Sequence, residues 1–280
     1  MGGWNLHWIA SPFIRNLIVT TGLYVAMTSL IYCIERRMGA AAVAKYRSRA
    51  HFHQFVWYLF RNSKVEELIF FGWYYALIGH YFGFLNLHLM DGAPTAVRFA
   101  VIFLTLDFVQ YWGHRLRHSV PLFWTFHAVH HSAETLTPGG MDQVHPIDDY
   151  VAGLYMTITV MIIGTSPQEW FGVILVRKFT EFIQHSGVNW RFGLLYYVFV
   201  SPAFHRIHHA RDPFYRDRNY GTHLSFWDYV FGTAANPAII PERYGVENLV
   251  LSTLNQQMFS PFRTVYNVLF GRVAPPSNNR

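Results

Sequence analysis

Long apolar stretches recur along this chain, with short polar segments between them. Residues 17–34 carry no charged side chain, and these eighteen residues approach the about 20 that a helix needs to cross a bilayer. Four further apolar stretches occupy residues 68–90, 95–112, 150–164 and 170–183. The last two are short enough to dip into a membrane instead of crossing it. The pattern predicts an all-α fold with about four to five transmembrane helices.

Residues 165–167, Thr-Ser-Pro, separate the last two stretches and predict a tight hairpin. The first stretch has a longer apolar core than the roughly 7–15 residues of a signal peptide. Charged residues follow it directly, at positions 35–37. We therefore interpret it as a retained helix. We expect one integral-membrane domain over residues 1–280, ending in a disordered tail at 274–280.

The composition agrees with a membrane protein. Hydrophobic residues make up 52% of the chain and charged residues only 14%, whereas soluble domains carry about 25% charged residues. The single cysteine, Cys33, excludes an internal disulfide and a cysteine-based metal site. The chain therefore lacks the polar residues that a water-facing surface requires.

The net charge of +6 has a topological explanation, because the basic residues form no aromatic-interleaved patch of the kind that binds nucleic acid. Seven of them crowd between the first two apolar stretches, namely Arg36, Arg37, Lys45, Arg47, Arg49, Arg61 and Lys64. Cytoplasmic loops carry such an excess. Alternation then places the N-terminus and residues 91–94 outside, and the polar segment that begins at residue 113 in the cytosol.

Ten of the sixteen histidines form an ordered set. His114 and His118 form an HX3H motif, two HX2HH motifs comprise His127, His130, His131 and His205, His208, His209, and His145 and His185 lie between these motifs. Helix positions i, i+3 and i+4 share one face, so each HX2HH motif is predicted to direct three imidazoles the same way. Neutral imidazole binds iron, zinc and copper. Ten ligands are too many for one ion and suit two.

Other interpretations of the histidines remain. The isolated His7, His51, His53, His80 and His88 are interpreted as ordinary core or interface residues. A zinc-dependent membrane hydrolase would also use histidines, but its HEXXH motif is absent. A non-catalytic lipid-binding protein with a degenerate site would lack some of the ten.

The motifs HRLRH, HAVHH, VHPID, HRIHH, RNYG and FWDYVFGT follow one another in this order. Their series resembles the fatty acid hydroxylase/sterol desaturase superfamily of membrane di-iron oxygenases, and the likeness extends over residues 107–233. The resemblance implies that all ten ordered histidines are metal ligands. At the position of a frequent family glutamate this chain has Asp148, and at that of a further family histidine it has Asn189.

The resemblance implies an O2-dependent hydroxylase or desaturase with two iron ions, at a histidine-rich helical cap on the cytosolic face. Its substrate would be a sterol, a fatty acyl chain or a polar lipid. Zinc has no redox chemistry, although it can occupy nitrogen sites in purified protein. The 280 residues contain no dinucleotide fingerprint and no cysteine set for an iron–sulfur centre. We therefore expect a separate electron donor of the ferredoxin or cytochrome b5 type, with its reductase.

Polar residues near the motifs are further candidates, either as ligands or as groups that orient the ligands. They are Asp107, Asp148, Glu181, Asn189, Asn219, Tyr220 and His223. Asp107 shares a helix face with His114 and His118, so it is predicted to accept an imidazole N–H. Glu181 lies four residues before His185 and could act similarly, and for both carboxylates pairing with Arg or Lys is the alternative. Trp227 and Asp228 are predicted to pack.

Overall fold

The computed structural model describes residues 12–62, 72–247, 249 and 251–271. His7, Lys64, the start of the apolar stretch at 68–90 and the predicted tail at 274–280 lie outside the described residues. Nothing in the described part therefore bears on these predictions.

The described residues form twelve α-helices and no strand. They are α1 Pro12–Arg36, α2 Ala40–Val43, α3 Arg49–Asn62, α4 Gly72–Phe82, α5 Thr95–Ser119, α6 Pro121–His131, α7 Pro146–Ile163, α8 Pro167–Gln184, α9 Pro202–His208, α10 Pro213–Arg216, α11 Phe226–Val230 and α12 Leu254–Leu269. Short 3-10 helices occupy Ala44–Arg47, Gly83–Leu85, Pro138–Asp142 and Gly193–Tyr197. The predicted all-α fold is confirmed.

Three helices of the described part are long and apolar enough to cross a membrane. These candidate spans are Ile14–Arg36, Thr95–Ser119 and Pro146–Ile163. In α4 the described residues form an apolar helix of only 11 residues. The predicted fifth span coincides with α8, which carries the four charged residues Glu169, Arg177, Lys178 and Glu181. The expected total of four to five spans stays a prediction.

Local signals explain the hairpin between α7 and α8. Gly164 ends α7 in the left-handed conformation, with φ of 79°, which costs glycine little because it has no Cβ atom. Ser166 then begins α8 with a capping box, in which its hydroxyl accepts the Glu169 N–H and the Glu169 side chain accepts the Ser166 N–H. Pro167 occupies the first helical position, where its missing N–H costs nothing. The predicted break at 165–167 is confirmed.

One end of the helix bundle is held together by Arg98. Its guanidinium donates to Glu169 at 2.5 and 2.9 Å and to the carbonyl of Gly164 at 2.8 Å. This contact joins the start of α5 to the end of α7 and the start of α8. The N-termini of α5 and α8 therefore lie together at this end.

The opposite end collects the segments that carry the histidines. Arg61 of α3 binds Asp149 of α7 at 2.7 Å and Asp142 at 2.8 Å. Glu35, at the end of α1, binds Lys45 at 2.9 Å and accepts the N–H of Gly187 at 2.6 Å. The basic segment after α1 therefore packs on the histidine-bearing end of the bundle.

The exterior of the bundle is apolar. Ile18, Leu23 and Leu30 of α1 and Leu104 and Phe108 of α5 are among its exposed large apolar side chains. Extended exposed apolar surfaces of this kind mark membrane contact. The helices therefore present lipid-compatible faces outward and gather their polar groups inside.

Candidate metal centre

Nine buried histidines converge in two adjoining groups at one end of the bundle. The first group contains His114, His118, His127, His131 and His208, and the second contains His130, His185, His205 and His209. Within each group one ring nitrogen from every histidine lies within 4.8 Å of the others. The rings of His131 and His209 stack at 4.5 Å between their centroids, which joins the two groups.

Each HX2HH motif divides its histidines between the groups. On α6, His127 and His131 point to the first group while His130 points to the second. At α9 the division is reversed, because His208 joins the first group and His205 and His209 join the second. The predicted single direction for each triad is therefore wrong. Positions i and i+4 differ by only about 40° around a helix, whereas i+3 falls on the other side of i.

Hydrogen bonds at Nδ1 set the tautomer of five of these rings. The Nδ1 atoms of His114 and His208 lie 2.8 Å from the carbonyls of Tyr220 and Arg218, and that of His185 lies 2.8 Å from the carbonyl of Glu181. A carbonyl only accepts, so each of these Nδ1 atoms carries the proton. The lone pair of a neutral ring is then at Nε2, where a metal binds.

Two carboxylates fix the same tautomer in the other two rings, those of His118 and His127. Asp148 accepts from Nδ1 of His127 at 2.9 Å, and Asp217 accepts from Nδ1 of His118 at 3.0 Å. Carboxylate–histidine contacts of this type orient metal ligands and raise their basicity. Asp148 therefore lies behind the ligands, where it also contacts Arg117 at 3.3 Å.

The Nε2 atoms of the second group crowd together. His185 lies 3.4 Å from His130 and 3.1 Å from His205, and His205 lies 3.0 Å from His209, each measured between Nε2 atoms. A ring nitrogen offers either one N–H or one lone pair, and the Nε2 atoms of His185 and His205 each have two such neighbours, so these contacts cannot all be hydrogen bonds. For metal–nitrogen bonds of about 2.0–2.1 Å, neighbouring ligand nitrogens are separated by roughly 3.0–3.4 Å.

The first group has the same shortage of partners. Within the described part of the chain, the buried Nε2 atoms of His127, His131 and His208 lack a hydrogen-bond partner. Buried polar atoms are rarely left in this state. The donor set, the burial and the spacing all fit two metal ions.

Burial keeps the histidines neutral. It lowers the pKa of His208 to about 3, and burial together with the neighbouring imidazoles holds the pKa values of His130, His131, His205 and His209 well below 6.5. Neutral imidazole is the form that binds a metal. The rings therefore need not lose a proton to become ligands.

His145 lies outside both groups, in contrast to the other nine expected ligands. Its Nδ1 accepts the N–H of Ile147 at 3.1 Å, which caps α7, and its Nε2 lies 3.0 Å from the carbonyl of Met258. A neutral ring has one acceptor and one donor nitrogen, and both are used here. In this structure His145 therefore offers no lone pair to a metal.

Asp107 supports the loop behind the first group instead of an imidazole. Its carboxylate accepts the backbone N–H groups of His223 and Leu224 and the indole N–H of Trp227, all at 3.0 Å. The expectation that Asp107 accepts an imidazole N–H is wrong, because the N–H groups of this loop occupy the carboxylate instead. Trp227 therefore does more than pack.

The loop around Asn219 and Tyr220 is also fixed by side chains. Asn219 adopts φ of 56°, donates to the carbonyl of Phe204 and accepts the N–H of Ala235. Asp228 accepts the N–H groups of Tyr220 and Gly221 at 2.8 and 2.7 Å. Burial raises the pKa of Asp228 to about 6. These contacts hold the Tyr220 carbonyl against His114.

Two other candidates lie farther from the histidine groups. Glu181 lies 3.4 Å from Nε2 of His223, whose Nδ1 contacts Thr180 at 2.7 Å. Burial opposes ionisation of Glu181, but the contact with His223 and the nearby charges of Arg177 and Lys178 outweigh it and hold the pKa at about 2. Asn189 is exposed and accepts from Arg206 at 2.6 Å, away from both groups.

Sequence reasoning missed Asp217 and Arg117. Asp217 lies 99 positions from His118 along the chain, so helical spacing could not connect them. Arg117 lies between the two histidines of the HX3H motif, and the motif pattern assigns it no role. Its charge at the end of an apolar stretch is the local signal that could have identified it, since a charge there needs a partner.

A cavity of about 370 Å³ reaches both histidine groups. His114 and His127 of the first group and His130, His185 and His205 of the second line its wall. Small-molecule sites occupy roughly 300–1,000 Å³. The cavity therefore provides room for part of a substrate beside both groups.

Residues 99–233 match the sequence profile of the family described as "Fatty acid hydroxylase". This matched segment belongs to the fatty acid hydroxylase superfamily. The matched segment contains all ten ordered histidines, so the motifs that carry the predicted resemblance are the ones on which membership rests. The predicted superfamily is confirmed.

Named relatives within this superfamily modify different lipids. The chain is 32% identical to alkylglycerol monooxygenase of Caenorhabditis elegans over 171 residues, which cover 58% of this chain and 32% of that protein. It is 31% identical to ornithine lipid hydroxylase OlsE of Rhizobium tropici over 147 residues, which cover 52% of this chain and 44% of that protein. It is 29% identical to methylsterol monooxygenase 2-2 of Arabidopsis thaliana over 135 residues, which cover 47% of this chain and 50% of that protein.

The chain therefore spans between about a third and a half of the length of these curated relatives. No solved structure matches the chain. The comparisons establish the superfamily of the matched segment.

Proposed function

We propose that this protein is an O2-dependent, non-haem di-iron hydroxylase or desaturase that oxidises a C–H bond of a membrane lipid. The observation that carries the proposal is the pair of adjoining all-histidine groups, each with ring nitrogens converging at metal-ligand spacing. The zinc hydrolase alternative needs only one ion, so a second group beside the first favours the di-iron function.

Nine histidines would hold the two ions, five in the first group and four in the second. Bound iron would supply the redox chemistry for O2 activation, which no side chain of the 20 amino acids supplies alone. The protein keeps the rings neutral by burial and orients those of His118 and His127 through Asp217 and Asp148. His145 is left out of the proposed ligand set because both of its nitrogens are engaged.

The overall reaction defines what must be supplied. Hydroxylation reduces O2 by four electrons, of which two come from the C–H bond and two from an external donor. One oxygen atom enters the product and the other leaves as water, with two protons. Desaturation begins with the same hydrogen abstraction and forms two waters. We therefore propose a separate donor, of the ferredoxin or cytochrome b5 type with its reductase.

A lipid substrate agrees with the surface and with the cavity. Phe171, Leu175 and Phe179 of α8 point outward, whereas Gln184 of the same helix is buried beside the cavity. A helix with this inverted polarity suits a lipid environment that surrounds a polar interior. The relatives named for alkylglycerol, ornithine lipid and methylsterol substrates support a lipid for this chain as well.

The histidine end is proposed to face the cytosol. The basic segment that follows α1 packs on this end through Lys45 and Arg61, and basic segments remain preferentially on the cytoplasmic side. A soluble electron donor would then reach the site from the cytosol, while lipid enters from the membrane.

The test is turnover of the iron-loaded protein in lipid nanodiscs with a donor, its reductase and ¹⁸O2. Candidate lipids are the alkylglycerol, ornithine lipid and methylsterol classes. We expect product heavier by one ¹⁸O atom or lighter by two hydrogens, and none without the donor. Product formed anaerobically, or label arriving from H2¹⁸O, would contradict the oxygenase function and favour the zinc hydrolase.

A further inference from the structure

Four basic side chains line the cavity beside the histidine groups. They are Arg61, Arg117, Arg177 and Lys178. Three of them have carboxylate partners, since Arg61 pairs with Asp142 and Asp149, Arg117 pairs with Asp148, and Lys178 pairs with Asp142. The distances range from 2.7 to 3.3 Å. These three charges are therefore compensated within the protein.

Arg177 differs from the other three. Arg177 is only 3% exposed, and no carboxylate of the described residues forms an ion pair with it within 4.0 Å. Its buried Nη1 has no hydrogen-bond partner among those residues either. Glu181, one turn later on α8, lies 3.4 Å from His223 instead. Glu181 also lines the cavity and interacts with the charge of Arg177, but Arg177 is a buried cation that no carboxylate of the described residues contacts directly.

Leaving such a group unpaired is costly, because an uncompensated charge loses its hydration on burial. An arginine also has five donors in a planar fork that matches the oxygens of a carboxylate or a phosphate. A ligand that carries such an oxyanion would supply the direct ion-pair contact that Arg177 lacks among the described residues.

We propose that Arg177 binds an oxyanion of the substrate headgroup, so that the preferred substrate is a lipid with a carboxylate or phosphate group. The inference rests on the proposed function, because it assumes that the cavity receives the lipid to be oxidised. Apolar side chains of Met156, Trp170 and Ile174 line the same cavity and accommodate hydrocarbon beside the headgroup.

The position of Arg177 suits a headgroup site adjacent to the histidine groups. Arg177 precedes His185 by eight residues, which is about 12 Å along a helix. Both residues line the one cavity. A lipid whose oxyanion contacts Arg177 therefore extends its hydrocarbon within that cavity, within reach of the histidine groups.

The test compares three single-chain probes of equal length, dodecyl phosphate, dodecanoate and dodecanol. The affinity of each probe is measured for the metal-loaded protein in phosphatidylcholine nanodiscs, at a pH at which both acids are ionised. Empty nanodiscs give the background. One charge-assisted contact strengthens binding by about 10- to 100-fold. We expect the wild type to bind the two anionic probes more tightly than dodecanol by that factor.

The variants assign the preference to Arg177. R177Q should abolish it and R177K should keep part of it, whereas the matched control K178Q, which removes a paired cation on the same wall, should retain it. The stronger of the two anionic probes identifies the phosphate or the carboxylate as the source. Metal content and melting temperature of each variant show whether it is folded.

Equal binding of dodecanol and the anionic probes to the wild type would overturn the inference without any variant. A preference lost equally in K178Q and R177Q would overturn it too, because it would then reflect total charge. Binding needs neither O2 nor electrons. An anion preference in a protein that never oxidises lipid would therefore refute only the proposed function, and oxidation of lipid without an anion preference would refute only the role of Arg177.

Discussion

Replacing His145 distinguishes a metal ligand from a helix cap. In the structure its Nδ1 accepts the N–H of Ile147 and its Nε2 donates to the carbonyl of Met258. Burial lowers its pKa, which keeps the ring in the neutral form that both contacts require. We therefore predict that His145→Ala and His145→Asn retain both metal ions, although spacing and family resemblance place His145 among the ligands.

The expected cost to stability follows from the two contacts. Loss of an N-cap costs about 0.5–2 kcal/mol, and a buried carbonyl left without its donor costs about 1–3 kcal/mol. His145→Ala should thus lower the free energy of unfolding by roughly 2–4 kcal/mol. At roughly 2–4 °C per kcal/mol, the melting temperature should fall by on the order of 5–15 °C. His145→Asn keeps a strong capping side chain and should lose about half as much.

The assay measures metal per folded chain and the melting temperature for both variants and wild type, in one detergent and at one scan rate. His51→Ala is a control for histidine loss, since the His51 side chain contacts Thr137 at 3.2 Å and the rings of Tyr24 and Tyr46, and His51 belongs to neither histidine group. Loss of a metal ion from folded His145→Asn would refute the capping role. It would restore His145 to the ligand set.

Three further predictions concern the ligands, their support and the topology. His131→Ala should lose metal from the first group and all activity, as measured by elemental analysis and turnover, because both its buried nitrogens lack partners among the described residues. Full metal retention would contradict its ligand role. Asp217→Asn should lower metal affinity about 10- to 100-fold in competition with a chelator, and unchanged affinity would refute orientation of His118. In a cysteine-free background, an impermeant reagent applied outside intact cells should label Thr95→Cys and not the exposed Glu134→Cys, and the reverse would place the histidine end outside.

Spacing along the chain predicted which histidines gather, because residues three and four apart on a helix are neighbours. It could not predict how they divide. His130 joins His185 from the far end of α8, while His127 and His131 join His118. That partition depends on how α6 and α9 face each other, which only the packed structure shows.

Residues far apart in sequence were beyond the same reasoning. Asp217 reaches His118 through a loop, and Asp107 accepts backbone groups of that loop near His223. Local spacing pointed Asp107 at an imidazole because Asp107 and His114 share a helix face. Tertiary contacts decided otherwise, since unpaired backbone N–H groups compete for any buried carboxylate.

His145 shows the limit of motif transfer. Its position before Pro146 is typical of a helix start, and a side chain that accepts a hydrogen bond there caps the helix. The motif alone suits a ligand and a cap equally. Only the contact with Met258, which lies 113 positions away, leaves the ring without a free nitrogen.

The metal count per chain tests the two-group centre most directly. Elemental analysis of wild-type protein from iron-supplied cells, with protein quantified by amino-acid analysis, should find two iron ions per folded chain, one for each histidine group. One ion or none in fully folded protein would contradict the dinuclear centre.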